Sequence, residues 1–265
     1  MPYLFDHLDA IRHIVDVSPL GLITDIDGTI SEIVPCPDKA TVSAVCRQRL
    51  AVLAKKLSLV AAISGRPASV ARDMLGVDGV VYVGNHGLEQ WRNGVVHYVE
   101  GLSEYPSKVV AAIEKLKELL SEEGILFENK GLSLSIHYRN SPDRECTRNL
   151  IIENLAASAV SRDFRIHTGK MVIELRPPVD VNKGTAVEAL VGSYKLKGGI
   201  YLGDDITDVD AFAALRRLRF RGVTVAVIGE DSPRELETES DFTLNGVHDV
   251  ELFLTWLADV ASPPR

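Results

Sequence analysis

A chain of 265 residues with 46% hydrophobic content can build one large domain or two modest ones, each with its own core. A net charge of −8, with no run of Lys or Arg, argues against nucleic acid or an anionic membrane as partner. Cys36, Cys46 and Cys146 are scattered without metal-ligand spacing, and neither a leader-like start nor a membrane-length apolar run is present, so a soluble cytoplasmic protein with reduced thiols is expected.

Helical spacing of Leu4, Leu8, Ile11 and Ile14 predicts a leading amphipathic helix from Tyr3 to about Val17. Leu20–Thr24 reads as a buried strand running into Asp25-Ile26-Asp27-Gly28-Thr29. Ser43 suits the N-cap of a helix reaching Lys56, with Val45, Leu50, Leu53 and Leu57 on its inner side. Leu59–Ile63 is a second apolar run, ending in Ser64-Gly65-Arg66-Pro67, and Pro67 suits the first turn of a helix that stops near Gly76. Val80–Val83 gives a third strand before Gly84-Asn85-His86-Gly87. Strands apolar on both faces, alternating with helices, predict an α/β, Rossmann-like core with a parallel sheet.

The pattern then changes. A charged helix is expected from Pro106 to Glu123 and another from Asp143 to Ser161. Strands are expected at Ile125–Asn129, Leu132–Tyr138, Phe164–His167 and Met171–Leu175, the last two joined by a turn at Thr168-Gly169-Lys170. Leu132, Leu134 and Ile136 alternate with Ser133, Ser135 and His137, which predicts an antiparallel sheet with one wet face. Residues 102–176 are therefore expected to form an α+β domain inserted into a core made of 1–101 and 177–265. After Pro177-Pro178 the first pattern returns, with a helix from Lys183 to Tyr194 and a strand at Gly199–Leu202 that ends in Gly203-Asp204-Asp205. A helix at Thr207–Arg217, strands at Val223–Ile228 and Asp241–Leu244, and a final helix at Val247–Asp259 complete the chain. Trp91 and Trp256 read as packing residues.

The C-terminal ends of parallel strands share one edge, where open α/β folds bind ligands. Asp25 and Asp27, Ser64, and Asp204 with Asp205 all follow such strands; Asp208 lies one helical turn on, and Lys183 opens a helix in the same half. Singly these are an Asp-rich turn, a loop serine and a solvated lysine. Together they gather five carboxylates, which Lys183 alone does not balance. A hard, oxygen-seeking ion such as Mg2+ would, and it would also take a substrate phosphate oxygen. A carboxylate in line with phosphorus can attack it, a second can move the protons, and the Ser64 hydroxyl with neighbouring amides can hold phosphate oxygens.

In order and spacing, Asp25-Ile26-Asp27-Gly28-Thr29, Ser64-Gly65-Arg66, Lys183-Gly184 and Gly203-Asp204-Asp205-Ile206-Thr207-Asp208 resemble the four motifs of the haloacid dehalogenase superfamily of phosphatases. Gly84-Asn85-His86-Gly87-Leu88-Glu89, Lys130, His137-Tyr138-Arg139 and Glu174-Leu175-Arg176-Pro177 extend the resemblance, over nearly the whole chain, to its trehalose-6-phosphate phosphatase family. That resemblance implies trehalose 6-phosphate as substrate, Asp25 as the nucleophile that becomes an aspartyl-phosphate, and Asp27 as general acid and base. It implies Mg2+ held by Asp25, the Asp27 carbonyl and Asp204, with Asp205 nearby through water. Ser64, Gly65 and Lys183 would bind phosphate, Asp208 would orient Lys183, and the insert would be a mobile cap. Many sugar hydroxyls call for charged and amide side chains, so Lys130, His137, Arg139, Glu174 and Arg176 on the insert, with Asn85 and His86 on the core rim, are the expected sugar contacts. His137 and Arg139 read equally as part of a wet sheet face. The same core motifs would serve sucrose phosphate, mannosyl-phosphoglycerate, a phosphosugar mutase or a non-catalytic phosphosugar sensor. The resemblance leaves open a functional pairing with a trehalose-phosphate synthase, on which the sequence itself carries no signal.

Overall fold

The computed structural model describes residues 1–34, 37–169, 171–218, 220–230 and 232–262; Cys36 and Lys170, the last residue of the expected 168–170 turn, lie outside them. A 3-10 turn at Leu4–His7 precedes α1 (Leu8–Val15), so the single leading helix expected from spacing is broken at His7, whose backbone is not helical. Then come β1 (Leu20–Thr24), α2 (Ala44–Lys56), β2 (Leu59–Ile63), α3 (Ala68–Leu75) and β3 (Val80–Gly84). Ser43 caps α2 by accepting from Cys46 N–H. Val45 is a correction: it is 38% exposed, because the buried stripe runs one residue later through Cys46, Leu50 and Leu53. Gly76 ends α3 in the left-handed conformation.

Two further strands, β4 (Glu89–Arg92) and β5 (Val95–Tyr98), are additions to the expected pattern. They are joined by Asn93-Gly94, both at positive φ (51° and 84°), the turn chemistry that favours a two-residue hairpin. The remaining elements are α4 (Tyr105–Leu119), β6 (Leu126–Asn129), β7 (Leu134–His137), α5 (Arg144–Ala157), β8 (Arg165–Gly169), β9 (Val172–Arg176), α6 (Lys183–Ser193), β10 (Gly198–Gly203), α7 (Ile206–Arg217), β11 (Arg221–Ile228), α8 (Arg234–Thr238), β12 (Phe242–Asn245) and α9 (Gly246–Val260).

The chain divides into two units, Met1–His97 with Val181–Arg265, and Tyr98–Asp180. The eight-stranded sheet has the order β12-β11-β10-β1-β2-β3-β4-β5, parallel from β12 to β3. β4 then runs antiparallel to β3. Successive β1 residues serve opposite faces: Leu22 joins a cluster with Leu50, Leu53 and Phe253, and Ile23 joins one with Val187, Leu190 and Phe212. Burial on both faces is what an uninterrupted apolar strand requires.

The second unit has a four-stranded antiparallel sheet ordered β6-β7-β9-β8. Its expected wet face is another correction, since Ser133 and Ser135 are buried. Register explains this, because Glu128, Ser135, Glu174 and His167 are successive partners across the four strands and form one polar row. Ser135 is covered by polar neighbours, with its hydroxyl 3.4 Å from Glu174 Oε1.

Candidate active site

β1, β2 and β10 are neighbours in the sheet, and the acidic and hydroxyl-bearing loops leave their C-terminal ends. Pairing persists one step past β1: Asp25 N–H donates to Leu202 O at 2.9 Å, which holds the first aspartate at the sheet edge. Gly28 then turns the chain with φ 82°, and a Cβ there would lie 1.9 Å from Asp204 Oδ2. Glycine alone lets the two acidic loops approach this closely. Thr29 Oγ1 donates to Asp204 Oδ1 at 3.1 Å across that approach.

Lys183 is the first residue of α6, whose N-cap Asn182 accepts from Thr185 N–H at 2.9 Å. Its side chain is 2% exposed, with Nζ 3.1 Å from Asp25 Oδ1 and 2.7 Å from Asp208 Oδ1. Burial opposes the ammonium charge, but the Asp208 and Asp25 carboxylates outweigh it and raise the pKa, so the lysine stays charged.

Asp208 is fully buried, and both of its oxygens are occupied. Oδ1 accepts from Lys183 and from the Tyr201 hydroxyl at 2.6 Å; Oδ2 accepts from Asp204 N–H at 3.2 Å and Asp205 N–H at 3.0 Å. A carboxylate offers about four lone-pair directions, all used here. Asp208 is thus a positioning acceptor for Lys183 and the 204–205 turn, although its oxygen lies within 4.8 Å of those of Asp25 and Asp204. Tyr201 is a member of the site that sequence reasoning missed. The available signal was a tyrosine in an aliphatic buried strand, where its hydroxyl must find a partner.

The Asp25 carboxyl is pushed up to about 7, by burial foremost, which outweighs the pull of Lys183, and with help from Asp208 and Asp27. Asp204 is likewise raised, by burial and then by Asp25 and Asp208. Two neighbouring oxygen donors, each with its charged form disfavoured, suit a hard divalent cation. Asp205 is exposed at the start of α7.

Asp27 is held apart from this cluster by Arg66, which grips it in a fork: Nε to Oδ2 at 2.7 Å and Nη2 to Oδ1 at 2.8 Å. Arg66 belongs to the Ser64-Gly65-Arg66 motif, yet it is a second cation that the charge count from sequence omits. Ser64 is buried, its Oγ accepting from Arg66 N–H at 3.1 Å. A Cβ on Gly65 would lie 2.7 Å from His86 Nε2, so the His86 ring packs directly on that glycine. Asn85, expected on the rim, is instead buried and hydrogen-bonded through its side chain to Glu89.

In the second unit, Glu174 is buried, with Oε1 3.1 Å from Lys130 Nζ and Oε2 2.6 Å from Arg176 Nε. His137 Nε2 lies 2.8 Å from Glu128 Oε2. Arg139 is exposed, and its carbonyl accepts from Arg144 Nε at 3.0 Å. Trp91 and Trp256 pack against the core of the first unit, and Trp256 also stacks on Phe253.

A parallel sheet with acidic loops after adjacent strands, and a buried lysine between them, is a haloacid dehalogenase-like hydrolase fold. Such a hydrolase from Bacteroides thetaiotaomicron superposes with a TM-score of 0.64 at 15% identity, covering 89% of this chain and 98% of that one. The C-terminal domain of Candida albicans trehalose-6-phosphate phosphatase superposes with a TM-score of 0.77 at 24% identity, over 98% and 99% of the two chains. Residues 23–247 match the trehalose-phosphatase family. Over 245 residues the chain is 34% identical to the trehalose-phosphate phosphatase of Mycobacterium avium (strain 104), covering 89% of this chain and 61% of that protein. The chain belongs to the trehalose-phosphatase family, and it spans about three-fifths of the length of that curated relative.

Proposed function

We propose that the protein is a Mg2+-dependent phosphatase that releases phosphate from trehalose 6-phosphate through an aspartyl-phosphate. The observation that carries the proposal is Asp25, fixed at the sheet edge with its carboxylate 3.1 Å from a buried, charged lysine. The Asp25 carboxylate attacks phosphorus, forming an acyl-phosphate bond as the P–O bond to the sugar breaks. Asp27, carrying a proton as the step begins, gives it to the departing sugar oxygen, then takes one from the water that hydrolyses the acyl-phosphate. The Arg66 fork uses two of the about four lone-pair directions of that carboxylate, so an oxygen can take the proton while Arg66 stays bound. Lys183 and Ser64, with the Gly65 amide, hold the phosphate oxygens. Asp25, Asp204 and the Asp27 carbonyl are the groups that would hold Mg2+, which when bound offsets the negative field that a phosphate dianion meets. The Lys130, Glu174 and Arg176 cluster has the charged, directional donors and acceptors suited to sugar hydroxyls.

The test is phosphate release from a panel of trehalose 6-phosphate, sucrose phosphate, mannosyl-phosphoglycerate and glucose 6-phosphate, with Mg2+ and with EDTA. Trehalose 6-phosphate is expected to lead in kcat/KM by about tenfold or more, and EDTA to stop turnover until Mg2+ is restored. Equal rates across the panel would remove the substrate assignment, and full activity in EDTA would remove the metal.

Metal binding should also depend on pH. Below about 7 the raised Asp25 carboxyl takes up a proton that the cation must displace, so Mg2+ affinity falls with falling pH by up to about tenfold per unit for each proton released. Calorimetry in buffers of different ionisation enthalpy reads that release. A pH-independent Kd between 6 and 8 would contradict it.

A further inference from the structure

α3 starts at Ala68 directly after Pro67, an N-cap residue whose side chain makes no capping hydrogen bond. The first amides of a helix need acceptors, and a carboxylate there also meets a favourable dipole. Glu89, the first residue of β4, supplies one: its Oε1 accepts from Ala68 N–H at 2.6 Å. The same side chain is 5% exposed and bonds the side chain of Asn85. Burial raises its pKa, and the Ala68 N–H and Asn85 bonds pull it back.

Glu89 thus touches both of two loops that are fastened to one another. Asn85 N–H donates to Arg66 O at 2.8 Å, His86 N–H to Ser64 O at 2.9 Å, and Ser64 N–H to Val83 O at 2.9 Å. The approach leaves no spare room, since a Cβ on Gly84 would lie 2.1 Å from Ala68 N and 2.8 Å from Glu89 Oε1. Asn85 and His86 both take positive φ (48° and 58°), a conformation non-glycine residues keep only when their surroundings enforce it.

We propose that Glu89 is a positioning residue that fixes the Ser64–Arg66 loop and, through Arg66, the orientation of Asp27. It is not among the groups assigned above to phosphate or metal. The inference rests on the phosphatase proposal for its catalytic consequence, but not for its structural one.

Three variants separate reach from charge. Glu89→Gln keeps the length and one acceptor oxygen, Glu89→Asp keeps the charge but is one methylene short, and Glu89→Ala keeps neither. Each is measured for kcat and KM, and for backbone amide exchange over residues 64–71 without substrate. Glu89→Ala and Glu89→Asp are expected to lose about ten- to a hundredfold in kcat and to exchange faster in that segment. Glu89→Gln is expected to stay within about threefold of the parent, because the acceptor hydrogen bond is retained. Should Glu89→Ala fail to fold, the Gln and Asp pair still decides. An Asp variant at least as active as the Gln variant, or unchanged exchange in the Asp variant, overturns the proposal. If the parent hydrolyses no phosphosugar, the function assigned above fails, while the exchange measurement still tests Glu89.

Discussion

Asp25→Asn is expected to lower kcat for trehalose 6-phosphate by about 10^4-fold or more, because an amide is no nucleophile towards phosphorus. The fold should survive. Asn has nearly the same shape, and Lys183 keeps Asp208 at 2.7 Å as its counter-charge. Stability without metal should stay level or rise, since the exchange removes a buried carboxylate whose ionisation burial disfavours, pushing it up to about 7. Initial rates and a thermal melt in EDTA read both effects. Residual activity above about one per cent would mean that another group attacks phosphorus, since loss of a nucleophile costs far more than that.

Asp208→Ala has the largest expected effect on stability, about 3–5 kcal/mol. It takes from the Lys183 ammonium its nearer counter-charge, leaving Asp25 at 3.1 Å, and removes the acceptor of Tyr201, Asp204 N–H and Asp205 N–H, at a position fully closed to solvent. Turnover should fall with it, because Lys183 and the 204–205 turn lose their common anchor. Urea unfolding with Lys183→Met, Asp208→Ala and the double variant gives the coupling. The double variant should be less destabilised than the two single effects added together, since with methionine in place of the lysine no buried cation loses a counter-charge. A loss below about 1 kcal/mol in Asp208→Ala would mean that the four contacts are not holding the site.

Much of this site is legible in the amino-acid sequence. Asp25, Ser64 and Asp204 follow uninterrupted apolar runs, and a parallel sheet must bring the ends of such runs to one edge. The family resemblance implies the Lys183–Asp208 link, and the pair stands 2.7 Å apart. What the sequence hides depends on side chains from distant segments meeting. Arg66 reaches Asp27, 39 residues away, and Glu89 reaches Ala68, 21 residues away, with no periodicity to announce either. The β4–β5 hairpin is different, because Asn93-Gly94 is a usable turn signal between two short strands. Val45 misses the buried stripe by one residue of helical phase. Ser133 and Ser135 are misjudged because alternation reports polarity, and polarity does not say whether water or another polar group will cover it.

The sheet order bears on how the polypeptide is made. β1 has one neighbour close behind it in synthesis, β2, but its other neighbour is β10, with Leu20 opposite Gly198 and Thr24 opposite Leu202. Until that distant strand leaves the ribosome, the nascent chain carries an open β1 edge whose N–H and C=O groups, Asp25 N–H among them, have no ladder partner. Fragments that stop short of residue 198 should therefore be sticky and inert, and biogenesis has to shelter that edge until β10 has been made.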